Sequence, residues 1–200
     1  MTEEIKSNVE RLELYSDNYP FNLSLRIQTF EDEAGYTKFV KNCEKLIRGC
    51  TEYKLWRNYI IDVLQIQTCA ITEERMDQCS TEIHHHPVSL FVVVKSLVNE
   101  KLEKEEPFCS FDICTKAIEL HFRNQIGFVN LVSSIHEKFH NGFLNIPKTL
   151  IKGNYNTYLE EYSKYLDEDE LETINSRLSI TEHNCNWSAN DYPALKQGIM

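Results

Sequence analysis

Five of the seven histidines in this chain fall in two short segments, Glu82-Ile83-His84-His85-His86-Pro87 and His136-Glu137-Lys138-Phe139-His140. His136 and His140 are four residues apart, so on a helix their rings project from one face about one turn apart. That is the spacing a divalent metal asks of two helix-borne imidazoles. The other cluster lies in an apolar, β-favouring stretch from Thr81 to Val88. Side chains alternate faces along a strand, so one histidine can bind metal while its neighbour faces a substrate. A neutral imidazole beside water is also a competent base near pH 7.

These segments need elements to position them. Apolar and polar residues alternate over Val9 to Tyr15 and Asn22 to Thr29, around Asp17-Asn18-Tyr19-Pro20, which reads as two strands and a turn. Tyr36, Phe39, Val40, Cys43, Leu46 and Ile47 recur at helical spacing from Glu31 to Arg48, with Gly49 as a stop. Leu55 to Ile66 fits a strand or a buried helix equally well. After Pro87, Ser89 to Leu102 reads as an apolar helix. Ser110 then caps another, whose inner face is Phe111, Cys114, Ala117, Ile118 and His121 or Phe122. Gly127 to Val132 is a short strand. Ser133 or Ser134 caps the helix of His136 and His140, and Asn141-Gly142 ends it. Phe143 to Ile146 reads as another strand. Tyr155 to Leu178 is an acidic amphipathic helical region broken near Asp167, and a loose tail carrying Trp187, Tyr192 and Leu195 follows.

The 200 residues, 42% of them apolar, suffice for a sizeable core. A net charge of −10 offers little long-range attraction to phosphate backbones, so any nucleic-acid contact must be local. Seven cysteines without a Cys-x-x-Cys pair predict free thiols in a reducing compartment. The acidic start lacks the basic region of a signal peptide, and no apolar run approaches the ~20 residues of a membrane span. A soluble, cytoplasmic protein is expected, with the host cell cytoplasm as its setting if the origin is viral.

The order of a histidine-bearing strand, a second short strand and a His-x-x-x-His helix resembles the HNH (ββα-metal, His-Me finger) endonucleases. Glu82-x-His84-His85 before Pro87 matches the family's first strand, and Gly127-Phe128-Val129-Asn130-Leu131 its second. His136 follows Gly127 by nine residues, the family's interval from asparagine to the first helical histidine. The resemblance covers about residues 67 to 146. It implies His84, His136 and His140 as ligands of one divalent metal ion, His85 as general base, and Glu82 as an orienting or substrate-contacting group. It leaves Mg²⁺, Mn²⁺, Zn²⁺ and Ni²⁺ open.

The family's asparagine falls at Gly127 here, so Asn130 or Asn124 would have to brace the site. Lys138 and Arg123, with Lys148 and Lys152, are candidate phosphate contacts. His121 is expected to be a core residue of its helix and His183 to be solvated.

The resulting expectation is an α+β protein. It has a β/α N-terminal part (1–66) and a ββα-metal core (67–150) with a helical insertion at 88–125. An acidic helical extension (151–180) and a tail (181–200) complete it. Its function is expected to be metal-dependent hydrolysis of phosphodiester bonds, in DNA rather than RNA. The alternative is a non-catalytic, metal-containing interaction or structural module, such as a viral accessory protein. In that case the C-terminal extension and tail would meet a protein partner. The position of His85 separates the two readings, because a structural site has no use for a free imidazole in an open cleft.

Overall fold

The computed structural model describes residues 30–75 and 81–187. The two expected strands before Thr29 lie outside these residues, as do Tyr192 and Leu195. Helix α1 (Glu33–Gly49) starts on an Asp32 cap whose carboxylate accepts the Gly35 amide at 2.7 Å. Helix α2 (Thr51–Asn58) runs on into a π-helical turn, Tyr59–Val63, so the ambiguous Leu55 to Ile66 stretch is helical up to Val63. Strand β1 (Thr81–His85) leads to α3 (Leu90–Glu103), capped by Ser89, and then α4 (Ser110–Phe122). Strand β2 (Phe128–Val132) passes directly into α5 (Ser133–His140). Helices α6 (Tyr155–Tyr162) and α7 (Glu168–Leu178) close the order.

The break near Asp167 has a local cause. Asp167 caps α7 in a reciprocal box with Glu170, and Glu168 and Asp169 complete an acidic first turn that suits the helix dipole. Lys95 of α3 reaches both Asp167 and Glu170, tying α7 to the body. Part of the acidic run therefore serves as cap and tether.

The protein is α+β, mostly helical with one two-stranded antiparallel sheet. Its register pairs Glu82 with Leu131, Ile83 with Asn130, His84 with Val129 and His85 with Phe128. Opposed residues share a face, so His84 and Glu82 lie on one side and Ile83 and His85 on the other. Each side faces its own apolar cluster. The larger packs Val40, Cys43 and Ile47 of α1 against Val94 and Leu97 of α3, Ala117 and Leu120 of α4, and Tyr158 and Tyr162 of α6. The smaller joins Val129, Leu131, Ile135, Leu144 and Ile146.

Several expectations need correction. Residues 88–125 supply α3 and α4 and ten of the 24 buried residues of the main core, and so form part of the body of the protein and not an insertion. The 151–180 segment likewise buries Tyr158, Tyr162 and Ile174 in that core. The described part of the N-terminal segment is helical over Glu33–Gly49, Thr51–Asn58 and Tyr59–Val63, its expected strands lying outside the described residues. Cys109, not Ser110, caps α4, in a box with Asp112. The inner face of α4 is Ile113, Ala117, Leu120 and His121, while Phe111 and Phe122 are exposed. Phe143 to Ile146 forms no strand, and Val132 stands at the α5 cap position. Trp187 docks on the body, its indole N–H donating to the Asn145 carbonyl at 2.7 Å.

Candidate metal centre

Helix α5 begins where β2 ends, which lays it against the sheet face that carries His84. It stops at Asn141-Gly142, as expected: Gly142 takes φ +75°, and its amide bonds the Phe139 carbonyl at 3.0 Å. His136 and His140 then stand one turn apart, with Nε2 atoms at 3.0 Å. The His84 ring closes the group, its centroid 4.9 Å from that of His136 and 5.1 Å from that of His140. One nitrogen from each of the three residues lies within 4.8 Å of the others.

Glu82 stands on the same face of β1 as His84 and lies 3.2 Å from His136 Nδ1. A carboxylate there accepts the Nδ1 proton, which leaves the Nε2 lone pair of His136 directed at the group. Burial, then the neighbouring His136, His86 and His140 rings and the Arg177 guanidinium, pushes His84 down to about 2. Burial also lowers His136, with Glu82 opposing it. Both imidazoles are therefore neutral near pH 7, the form that binds a cation.

The donor set fits a divalent transition metal. His84 Nε2 is buried with no hydrogen-bond partner, a position that is costly for a polar atom unless something is bound there. Imidazole nitrogens favour the later first-row ions over magnesium.

His85, the expected base, lies elsewhere. It faces the helical core, is 3% exposed, stacks beside Tyr53 and Trp56, and meets His121 Nε2 at 3.0 Å. His121 is thus a core residue, as expected. Its Nδ1–H donates to the Ala117 carbonyl at 2.6 Å, so its Nε2 accepts from His85.

Asn130 shares the His85 face and donates to the Thr68 carbonyl at 2.8 Å, bracing that loop and not the trihistidine group. Asn124 is exposed at φ +59° and lines a cleft of about 250 Å³ with Trp56, Tyr59 and His121, on the His85 side. Arg123 is ion-paired with Glu119. Lys138 stands two residues beyond His136, a spacing that does not share a helix face. His183 is exposed.

Two groups beside the site escaped the sequence reading. Arg177 donates to the Pro87 carbonyl at 2.6 Å and lies over the Phe139 ring. Its only sequence signal is being the single basic residue of α7. His86 is buried near Phe139 and His84 with neither ring nitrogen partnered.

Gly127 stands where the resemblance expects asparagine, and packing explains why. A Cβ there would lie 2.2 Å from the His86 carbonyl oxygen and 3.0 Å from Tyr155 Cβ.

The His85–His121 pair sets a pH dependence. Burial holds His121 down to about 4 and His85 well below its ordinary value, so the folded state keeps both neutral. Unfolded imidazoles take up protons below about 6.5, so acid favours unfolding. The stability is fully present above that pH and is lost as pH falls toward 4. The His121 share is about 3 kcal/mol. The urea midpoint of the protein should fall over that window, and His85→Leu with His121→Leu should make the fall shallower, leaving the share of the buried His84 and His86, which burial also lowers. An equally steep decline in the double variant would remove the pair as its cause.

The chain is thus a mostly helical α+β protein with a trihistidine cluster on one face of a two-stranded sheet. Residues 1–196 match the bacteriophage G278-like virion protein family, and the chain belongs to that family, which makes it a viral protein. No curated protein and no solved structure matches it. Among the described residues, no helix is long and apolar enough to cross a membrane.

Proposed function

We propose that this protein is a structural component of the phage particle in which His84, His136 and His140 hold one divalent metal ion, tying α5 to the β1–β2 sheet. The observation that carries this reading is the position of His85. The imidazole that would activate water is buried on the opposite face of the sheet and bonded to His121. A bound ion would supply the positive charge that holds imidazoles from two elements at one point.

The residues of the chain do the rest. Glu82 fixes the tautomer of His136, and burial keeps His84 neutral. Arg177 clamps α7 to the loop after β1. A net charge of −10 and an Arg123 engaged by Glu119 weigh against a long phosphate-binding track. Membership of a virion protein family supports a location in the particle, with the host cytoplasm as the site of synthesis.

The hydrolase reading, with an HNH-like ββα core and a nucleic-acid substrate, keeps one observation in its favour. His140 is exposed, so coordination positions left over by the imidazoles would open to water.

One experiment separates the two. Metal content is measured on the purified full chain, which is then stripped and reloaded separately with Mg²⁺, Mn²⁺, Zn²⁺ and Ni²⁺ before plasmid cleavage is assayed. The expected result is about one ion per chain and a raised Tm on reloading, with no nicking by any metal form. Nicking that disappears in His140→Ala would establish the hydrolase instead. A chain that takes up none of the four ions would end both readings.

A further inference from the structure

We propose, on the reading that His84, His136 and His140 hold a metal, that His86 is the fourth ligand of that ion and closes the centre as a four-imidazole site. A four-coordinate divalent ion at ~2.0–2.1 Å from each imidazole nitrogen spaces the ring centroids about 5 Å apart. The His136–His140, His84–His136 and His84–His140 centroids are 4.4, 4.9 and 5.1 Å apart. These rings therefore account for three of the four positions.

His86 stands on the same side of the sheet. Its amide bonds the Gly127 carbonyl at 3.0 Å, which extends the β1–β2 ladder by one residue and keeps the alternation that puts His84 and His86 together. Both rings meet Phe139 of α5 edge-to-face, and their centroids are 5.9 Å apart. His86 lies outside the group of nitrogens within 4.8 Å of one another, so binding asks its ring to turn toward the other three. That turn needs rotation about side-chain bonds only, because the backbone is already held by Gly127.

Burial is what asks for a ligand there. His86 is 1% exposed, and neither of its ring nitrogens has a hydrogen-bond partner. An apolar side chain would fill the same space without leaving a donor and an acceptor unmet. His85, on the opposite face, shows how this protein settles a buried imidazole away from the centre: it bonds His121 at 3.0 Å. Of the four buried histidines, only His84 and His86 keep an unpartnered nitrogen, and they are the two that face α5. Four imidazoles would leave the ion no position for water or a phosphate oxygen, which is the arrangement of structural sites and not of catalytic ones.

The test loads the metal-stripped full chain with Co²⁺, whose bound imidazoles give strongly shifted ring N–H signals in proton NMR. One of those signals should vanish in His86→Leu, which should still bind one ion per chain but roughly 100-fold more weakly. Excess azide should leave the visible spectrum of the Co²⁺-loaded wild type unchanged and shift that of His86→Leu, where a position has opened. His86→Ala with added free imidazole should regain the wild-type spectrum. Circular dichroism confirms that each variant is folded, and His86→Gln replaces His86→Leu if the latter is not. A wild-type spectrum that shifts with azide, or N–H signals unchanged in the His86 variant, would overturn the proposal and leave the three-histidine site standing. Wild type that takes up no Co²⁺ would remove the ion itself, and both readings with it.

Discussion

His84→Leu should reduce bound metal from about one ion per chain to a trace, and the two forms of the protein should respond in opposite directions. Loaded wild type should melt above the variant by about 3–7 °C, since an ion present at ~100 times its dissociation constant adds about 2.7 kcal/mol and the variant recovers about 1 kcal/mol of that. Stripped of metal, the order should reverse. Wild type then buries His84 Nε2 without a partner, and an apolar side chain of similar size removes that uncompensated atom. The expected gain is about 1 kcal/mol. Calorimetry on both proteins, each with metal and with chelator, reads all four states. A variant that retains the ion would take His84 out of the site, and an unchanged order after chelation would mean that the buried nitrogen is satisfied in another way.

The second large effect is at Gly127. Restoring the asparagine that the HNH resemblance expects should cost well over 3 kcal/mol, and Gly127→Ala nearly as much. The offending atom is the Cβ, not the amide. It would meet the His86 carbonyl oxygen at 2.2 Å, and backbone held at the end of β1 cannot swing aside as a flexible side chain can. Gly49→Ala serves as control. Nothing lies within 4 Å of a Cβ at that helix end, so the change should be neutral or gain up to about 1 kcal/mol from helix propensity. Urea unfolding of the three chains compares them directly. If Gly127→Ala proves as mild as Gly49→Ala, the close approach of β2 to the His86 loop is wrong.

Much of the fold was legible because its signals are local. The helix of Tyr36, Val40, Cys43 and Ile47 follows from periodicity, and α5 from its histidine spacing and the Gly142 stop. The break at Asp167 follows from a carboxylate that prefers a cap to a helix interior. The errors arose where local signals tie. The short apolar Phe143 to Ile146 suits a strand, yet Leu144 and Ile146 pack in the smaller cluster without a partner strand. On α4, Phe111 and Phe122 looked like core. The neighbouring helices instead cover the Ile113, Ala117 and Leu120 face, leaving both phenylalanines exposed.

That His84, His136 and His140 could meet is readable from the chain alone. Strand alternation and a four-residue helical interval are short-range geometry, and they need only a sheet and a helix to lie together. It could also say that His84 and His85 point opposite ways. Which way leads to solvent was beyond it, because alternation distinguishes two faces without naming them. Long-range packing settles it. Packing α1, α3 and α4 on one face of the sheet buries His85 against Tyr53, Trp56 and His121. Placing the short α5 on the other leaves His84 beside a half-open histidine pair. The role of His85 therefore follows from where the large apolar core gathers, a property of contacts distant in the chain that no local pattern records.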